Sequence, residues 1–152
     1  MWSNGRVNRV EIVQSNFLRR VAQGDLPARV GTATLDDAQL TAHELVALFE
    51  AQVLSRHLDR AARDMQARGF GFYTIGSSGH EGMAAVAGAL RPTDMAFVHY
   101  RDAAFQIARS GQVGVDAVRD MLLSFTTSLD DPTSRCRHMV VVSAYPAMPP
   151  PA

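Results

Sequence analysis

Apolar side chains recur every three or four residues in three parts of the chain, the spacing that places them on one face of an α-helix. The first part is residues 9–23, and Gly24 and Pro27 predict its end. The second and longest part is residues 45–65, and the third is residues 116–127. Each pattern predicts an amphipathic helix with one buried face.

Helix-capping signals predict where two of the helices begin. Thr41 and Glu44 have the spacing of a capping box, so we expect the longest helix to begin there and to end at Gly69. Ser78 and Glu81 have the same spacing just before the segment GMAAVAGAL. Its small side chains allow another backbone to approach closely, so we expect this second helix to be buried.

Short apolar runs later in the chain predict strands. Residues 95–98 are typical of a buried strand, and residues 139–142 could start another. We therefore expect an α-rich α/β fold with one or two short strands and an incomplete sheet. The expected organisation is an N-terminal helix and linker (1–40), one main domain (41–130) and an irregular, proline-rich tail (131–152).

Composition excludes several classes of function. The 152 residues include 15 basic and 15 acidic side chains, and this balance argues against nucleic acid as the main partner. The single cysteine cannot form an internal disulfide, which favours a reducing compartment. The sequence has neither an apolar run long enough for a membrane span nor the pattern of a signal peptide. We expect a cytoplasmic protein that does not bind membranes.

The clearest candidate for chemistry is the pair Tyr100-Arg101, directly before a predicted helix over residues 103–110. Arginine binds phosphate oxygens in a bidentate manner, a tyrosine hydroxyl adds a donor, and a helix N-terminus favours negative charge. An exposed Arg101–Asp102 pair at a turn explains the same residues, and spacing alone does not separate the two. The histidines and Cys136 match no metal-binding or nucleophile motif, so no metal site is predicted.

The order of several short motifs resembles one enzyme family. The motifs, within residues 40–130, are Phe72-Tyr73, Gly79-His80-Glu81-Gly82, Pro92-Thr93-Asp94 and Tyr100-Arg101. Together they resemble the N-terminal portion of the alpha subunit of the thiamine-diphosphate-dependent 2-oxo acid dehydrogenases. This family includes the pyruvate enzymes and the 2-oxoisovalerate enzymes of branched-chain amino acid catabolism. The resemblance implies the N-terminal part of a thiamine-diphosphate-binding fold.

The resemblance also implies roles for individual residues. Tyr100 and Arg101 would bind the cofactor diphosphate, and Tyr73, with Phe72 beside it, would border the substrate pocket. His138 would be the catalytic histidine near the substrate. His80 and Glu81 are expected to fix the start of the helix rather than to take part in chemistry.

Two departures from the family pattern limit this expectation. The family's histidine after the Arg-Asp pair is missing, and so is its magnesium-diphosphate motif, Gly-Asp-Gly followed by an Asn pair. Mg²⁺ requires oxygen ligands in near-octahedral order. We therefore expect a truncated or frameshifted chain that is inactive and does not bind thiamine diphosphate with Mg²⁺ alone.

The implied partners follow from the family's reaction. The intact enzyme is an oxidoreductase that decarboxylates a 2-oxo acid and transfers the acyl group to a lipoyl-bearing acyltransferase. Its other implied partner is a beta subunit or a fused beta-type domain. The alternative hypothesis is a non-catalytic helical module that binds other subunits, or a second copy of itself, through the apolar stripe of residues 45–65 and the Ala/Gly helix.

Overall fold

Six α-helices and no β-strand make up the part of the chain that the structure, a computed structural model, describes: residues 9–28, 30–31, 33–72, 76–99 and 101–131. In chain order the helices are α1 (Arg9–Ala22), α2 (Leu35–Ala38), α3 (Ala42–Ala67), α4 (Met83–Ala89), α5 (Ala103–Gly111) and α6 (Ala117–Phe125). The expectation of a helix-rich protein is therefore confirmed. Within these ranges, no helix has the length and apolar character needed to cross a membrane.

The chain divides into two units, Met1–Ala38 and Gln39–Ala152. In the first unit α1 ends near the predicted position, and an ion pair between Arg20 and Asp25, with 2.9 Å between Nε and Oδ2, joins its last turn to the following residues. Among the described side chains of α1, the large apolar ones are exposed: Ile12, Val13, Phe17, Leu18 and Val21. The amphipathic helix is present, and no residue in the described part of its unit buries these side chains.

The predicted capping box opens the second unit. Thr41 Oγ1 accepts a hydrogen bond from the Glu44 backbone N–H, and Glu44 Oε2 accepts one at 2.8 Å from the Thr41 N–H. The hydrogen bonds that the Thr41 N–H and hydroxyl donate to the Glu44 carboxylate lower the pKa of that carboxyl below its ordinary value. At the other end of α3, Gly69 has φ of 78°, a left-handed conformation that glycine adopts without strain. Both boundaries of the longest helix are as predicted.

The core of the second unit lies where α3, α5 and α6 meet. Its buried members are Leu58 and Ala62 of α3, Ala103 of α5, and Ala117, Met121 and Phe125 of α6. A smaller cluster joins α4 to α3 and α5 through Ala84, Ala51 and Ala104. The small residues of α4 do allow a close approach, since Ala84 and Ala87 have no exposed surface.

The apolar stripe of α3 is buried unevenly along the helix. Leu58 and Ala62 enter the core, whereas Leu45, Val46 and Phe49 near the start of the helix are exposed. The sequence pattern is continuous over both halves. Only the packing of α4, α5 and α6 decides which residues of α3 are covered.

Residues 95–98 do not form the predicted strand. They belong to no β-ladder, and Phe97 is 86% exposed. A strand requires a neighbouring strand to accept and donate its backbone hydrogen bonds. No such neighbour exists in the described ranges, and the other predicted strand, residues 139–142, lies outside them.

The second predicted capping box is also wrong. α4 begins later than expected, with Gly82 at the N-cap and no side-chain cap. The Glu81 carboxylate is used differently: Oε2 accepts a hydrogen bond from the Gly79 N–H at 2.8 Å, and Oε1 lies 3.3 Å from Arg56 Nε of α3. The tertiary ion pair thus holds the side chain that the local pattern assigned to the cap.

A buried arginine forms hydrogen bonds to the turn after α4. Arg109 of α5 has no exposed surface, and its guanidinium donates to the Asp94 carbonyl at 2.8 and 2.9 Å and to the Arg91 carbonyl at 2.7 Å. It also lies 5.1 Å from the centre of the Phe105 ring, within the range of a cation–π interaction. The sequence pattern gave no reason to expect this arginine inside the core.

Candidate functional site

Two loop segments meet at the start of α5. Arg101 reaches back to the segment before α4, where Nε donates to the Gly76 carbonyl at 2.7 Å and Nη2 to the Ser78 carbonyl at 2.5 Å. These bonds join residues 25 and 23 positions apart in the chain. We call residues 76–81 together with His99, Arg101 and Asp102 the junction.

A histidine–aspartate pair forms the second link across the junction. His80 Nδ1 lies 2.7 Å from Asp102 Oδ1, and Asp102 Oδ2 accepts the His99 backbone N–H at 2.6 Å. Asp102 is only 4% exposed, so its carboxylate depends on these partners for the hydrogen bonds that water would otherwise provide. The rings of His80 and His99 stack with their centres 5.5 Å apart.

α3 holds the other side of the junction through a buried carboxylate. Asp59 accepts the Ser77 backbone N–H and hydroxyl, each at 2.9 Å, and the Arg56 guanidinium, also at 2.9 Å. Ser77 and Ser55 are buried beside it, with 3.3 Å between their hydroxyl oxygens. The loop before α4 is therefore bound to α3 on one side and to the start of α5 on the other.

Gly76 is required where the loop passes over Asp59. A Cβ atom at this position would lie 2.9 Å from Asp59 Oδ2 and 3.2 Å from Arg63 Nη2. No side chain fits without displacing the carboxylate that binds Ser77. This glycine permits a close backbone approach, one of the ordinary uses of the residue.

Of the predicted site residues, Arg101 lies at the centre of the junction. Phe72 is 73% exposed in the segment that follows α3. Tyr73, Tyr100 and His138 lie outside the described residues. The roles assigned to all five stay predictions.

Sequence reasoning missed the carboxylates that organise the junction. Asp102 was considered only as an exposed partner of Arg101, yet it is buried and binds His80. Asp59 had a usable signal, because it stands next to Leu58 and four residues after Ser55 on the face of α3 that enters the core. A polar pair one helical turn apart within an apolar stripe indicates a buried hydrogen-bond network.

The donors at the junction fit an anion, whereas the described residues offer nothing for a metal ion. A guanidinium carries five N–H groups; two of those of Arg101 donate to carbonyls, which leaves three. Within the part of the chain that the structure describes, no three acidic, histidine or cysteine side chains are grouped so that they could hold a metal ion. The chemistry that the described donors support at the junction is therefore anion binding by Arg101.

No protein-family model matches the chain, and no match was found among curated proteins or solved structures.

Proposed function

We propose that this chain supplies the alpha-subunit side of a thiamine diphosphate site in a 2-oxo acid dehydrogenase. The observation that carries the proposal is the link between the two motifs of the resemblance. Arg101 donates to the carbonyl of Ser78, the residue before Gly79-His80-Glu81-Gly82, and Asp102, the residue after Arg101, binds His80 of that motif. A shared sequence order alone does not require such contacts.

The role of Arg101 in this proposal is to bind the diphosphate. Its position is fixed by two carbonyls, so little side-chain entropy remains to be lost when an anion binds. The cofactor itself supplies the carbanion-stabilising chemistry of decarboxylation. The sequence lacks the family's magnesium motif, so the chain alone is expected not to bind the magnesium complex of the cofactor. The fixed position of Arg101 supports only weak binding of the cofactor without Mg²⁺.

Titration of the ¹⁵N-labelled chain with thiamine diphosphate, followed by amide chemical shifts at about pH 6, tests the proposal. We expect shifts at residues 76–80 and 101–104, with a dissociation constant on the order of 1 mM, unchanged by Mg²⁺. Arg101→Gln should weaken binding roughly tenfold or more, because it removes a charged hydrogen-bond donor. Arg119→Gln, at an exposed position of α6, is the matched control.

Two outcomes contradict the proposal. One is the absence of shifts at the junction at millimolar cofactor. The other is tight binding that depends on Mg²⁺, since it requires metal ligands that this sequence pattern lacks. The thermal denaturation midpoint of Arg101→Gln, measured alongside, separates lost binding from lost folding.

A second candidate function is a non-catalytic module that binds other subunits. The exposed apolar side chains of Leu45, Val46 and Phe49, close together on one face of α3, favour it. Clustered apolar side chains at a surface mark interaction sites more often than isolated ones do. This function does not depend on the junction, so the two candidates are tested separately.

Light scattering combined with size-exclusion chromatography tests the second candidate. We expect the wild-type chain to self-associate at about 100 μM, a concentration at which weak interfaces are occupied. Phe49→Glu should abolish association, because a charge cannot be buried there without a partner. Arg60→Glu, at an exposed position in the C-terminal half of the same helix, is the control. A wild-type chain that stays monomeric throughout contradicts a self-binding module.

A further inference from the structure

One peptide group of the loop before α4 binds both Asp59 and Arg101. Its carbonyl, that of Gly76, accepts a hydrogen bond from Arg101 Nε at 2.7 Å, and its N–H, that of Ser77, donates to the Asp59 carboxylate at 2.9 Å. None of the described peptide bonds is cis, and the C=O and N–H of a trans peptide point in opposite directions. Asp59 and Arg101 therefore bind opposite edges of the same planar group.

The bond to Asp59 fixes the direction of the Gly76 carbonyl. Because the peptide group is rigid and planar, a rotation that turned the carbonyl away from Arg101 would also take the Ser77 N–H away from the carboxylate. Ser77 is 1% exposed, so this rotation would leave a buried donor without a partner. The Ser77 hydroxyl donates to the same carboxylate at 2.9 Å and adds a second attachment.

The position of the Arg101 guanidinium depends on the same segment. Its Nε donates to the Gly76 carbonyl and its Nη2 to the Ser78 carbonyl, and these two residues flank Ser77, the residue that Asp59 binds. An arginine side chain has many rotamers, so its restriction in the free protein lowers the entropy that is lost when an anion binds. A buried carboxylate of α3 thus contributes to the order of a guanidinium at the start of α5.

We propose that Asp59 is a positioning residue for the anion site, because it holds the Gly76–Ser77 peptide group that orders Arg101. This inference rests on the proposed function and deepens it, since it names a residue of α3 on which diphosphate binding depends. Asp59 does not bind the anion, because both are negatively charged. Its contribution is made through the peptide group.

The two effects that Asp59 has on anion binding are opposite in sign. A carboxylate near a bound anion repels it, so loss of the charge by itself strengthens binding. Loss of the acceptor frees the peptide group and weakens binding. Asp59→Ala removes the charge and the acceptor, whereas Asp59→Asn removes the charge and keeps an acceptor oxygen. The two variants therefore separate positioning from electrostatic repulsion.

Titration of the ¹⁵N-labelled variants with thiamine diphosphate in the absence of Mg²⁺ tests the inference, at a temperature at which each variant is folded. We expect Asp59→Ala to weaken binding roughly three- to tenfold, the effect of ordering one long side chain. Asp59→Asn should bind at least as tightly as the wild-type chain. Asp64→Ala, at an exposed position of the same helix, is the matched control and should bind as the wild-type chain does.

The NMR signal of the Arg101 Nε–H group gives a second readout, which a purely structural role of Asp59 would not change. In Asp59→Ala this signal should move toward that of a solvent-exposed arginine, and in Asp59→Asn it should stay near its wild-type position. Ser77→Ala removes the hydroxyl and keeps the peptide N–H, so it should retain both the affinity and the Arg101 signal.

Three results overturn the inference. One is a folded Asp59→Ala variant whose affinity and Arg101 signal are unchanged, and another is tighter binding by this variant, which assigns the effect to charge. The third is an equal loss of affinity in Ser77→Ala, which assigns the effect to the hydroxyl. In each case, loss of binding in Arg101→Gln leaves the proposed function standing. The absence of shifts at the junction of the wild-type chain contradicts the proposed function and the inference together.

Discussion

Arg109→Met is expected to lower the free energy of unfolding by about 3 kcal/mol, because each lost hydrogen bond from a charged donor costs about 1.5–3 kcal/mol. The guanidinium has no exposed surface and donates to the carbonyls of Arg91 and Asp94. Methionine fills much of the same volume, so the loss comes from the hydrogen bonds and from the contact with Phe105 rather than from a cavity. Urea denaturation measures the effect.

A buried charge also carries a desolvation cost, and removal of the charge recovers it. That recovery does not offset the loss here, because the variant removes only one side of each hydrogen bond and leaves the carbonyls in place. Arg119→Met is the control, since Arg119 is exposed and its nitrogen lies 3.8 Å from an Asp120 oxygen. Exposed pairs contribute about 0–1 kcal/mol. Equal losses of unfolding free energy in the two variants would show that the hydrogen bonds of Arg109 do not stabilise the turn.

Asp59→Ala is expected to cost about 2–4 kcal/mol, because it leaves the buried N–H and hydroxyl of Ser77 without their acceptor. Both donors lie 2.9 Å from the carboxylate, and Ser77 is almost fully buried. The loop before α4 should loosen first, since it loses its attachment to α3. Hydrogen exchange of the Ser77 amide should accelerate more than exchange of the α6 amides, and urea denaturation gives the total loss.

Asp64→Ala is the matched control for this loss. Asp64 lies on the same helix but is exposed, and surface changes of this kind usually stay within about 0.5 kcal/mol. Asp59→Asn adds a finer test, because an amide keeps one acceptor oxygen and should retain part of the stability. If Asp59→Ala behaves like Asp64→Ala, the loop does not depend on the carboxylate and the arrangement of the junction is wrong.

The helices that sequence reasoning located best are those whose signals are local. The capping box of Thr41 and Glu44 involves residues three positions apart, and Gly69 needs only its own left-handed backbone. α6 follows from the spacing of Met121 and Phe125, both buried as expected. In each case the residues that determine the structure lie within about one helical turn of each other.

The errors arose where a distant residue competes for the same group. Glu81 had the right spacing for a cap, but Arg56 of α3 and the Gly79 N–H bind its carboxylate. Residues 95–98 had the composition of a strand, but backbone pairing needs a second strand that the pattern of one segment cannot supply. The composition of one segment shows that it could form a strand, but it does not show whether a second strand lies beside it.

For the candidate site, the sequence alone determined that Arg101 lies directly before a helix. It also determined that the motifs Gly79-His80-Glu81-Gly82 and Pro92-Thr93-Asp94 precede Arg101 in the chain. Only the tertiary structure decided that Arg101 donates to the carbonyls of the loop before α4, that Asp102 is buried, and that His80 is its partner. The physical reason is that these hydrogen bonds join residues 22 to 25 positions apart. Their geometry exists only after α3, α4 and α5 have packed together, and no periodicity within one segment encodes it.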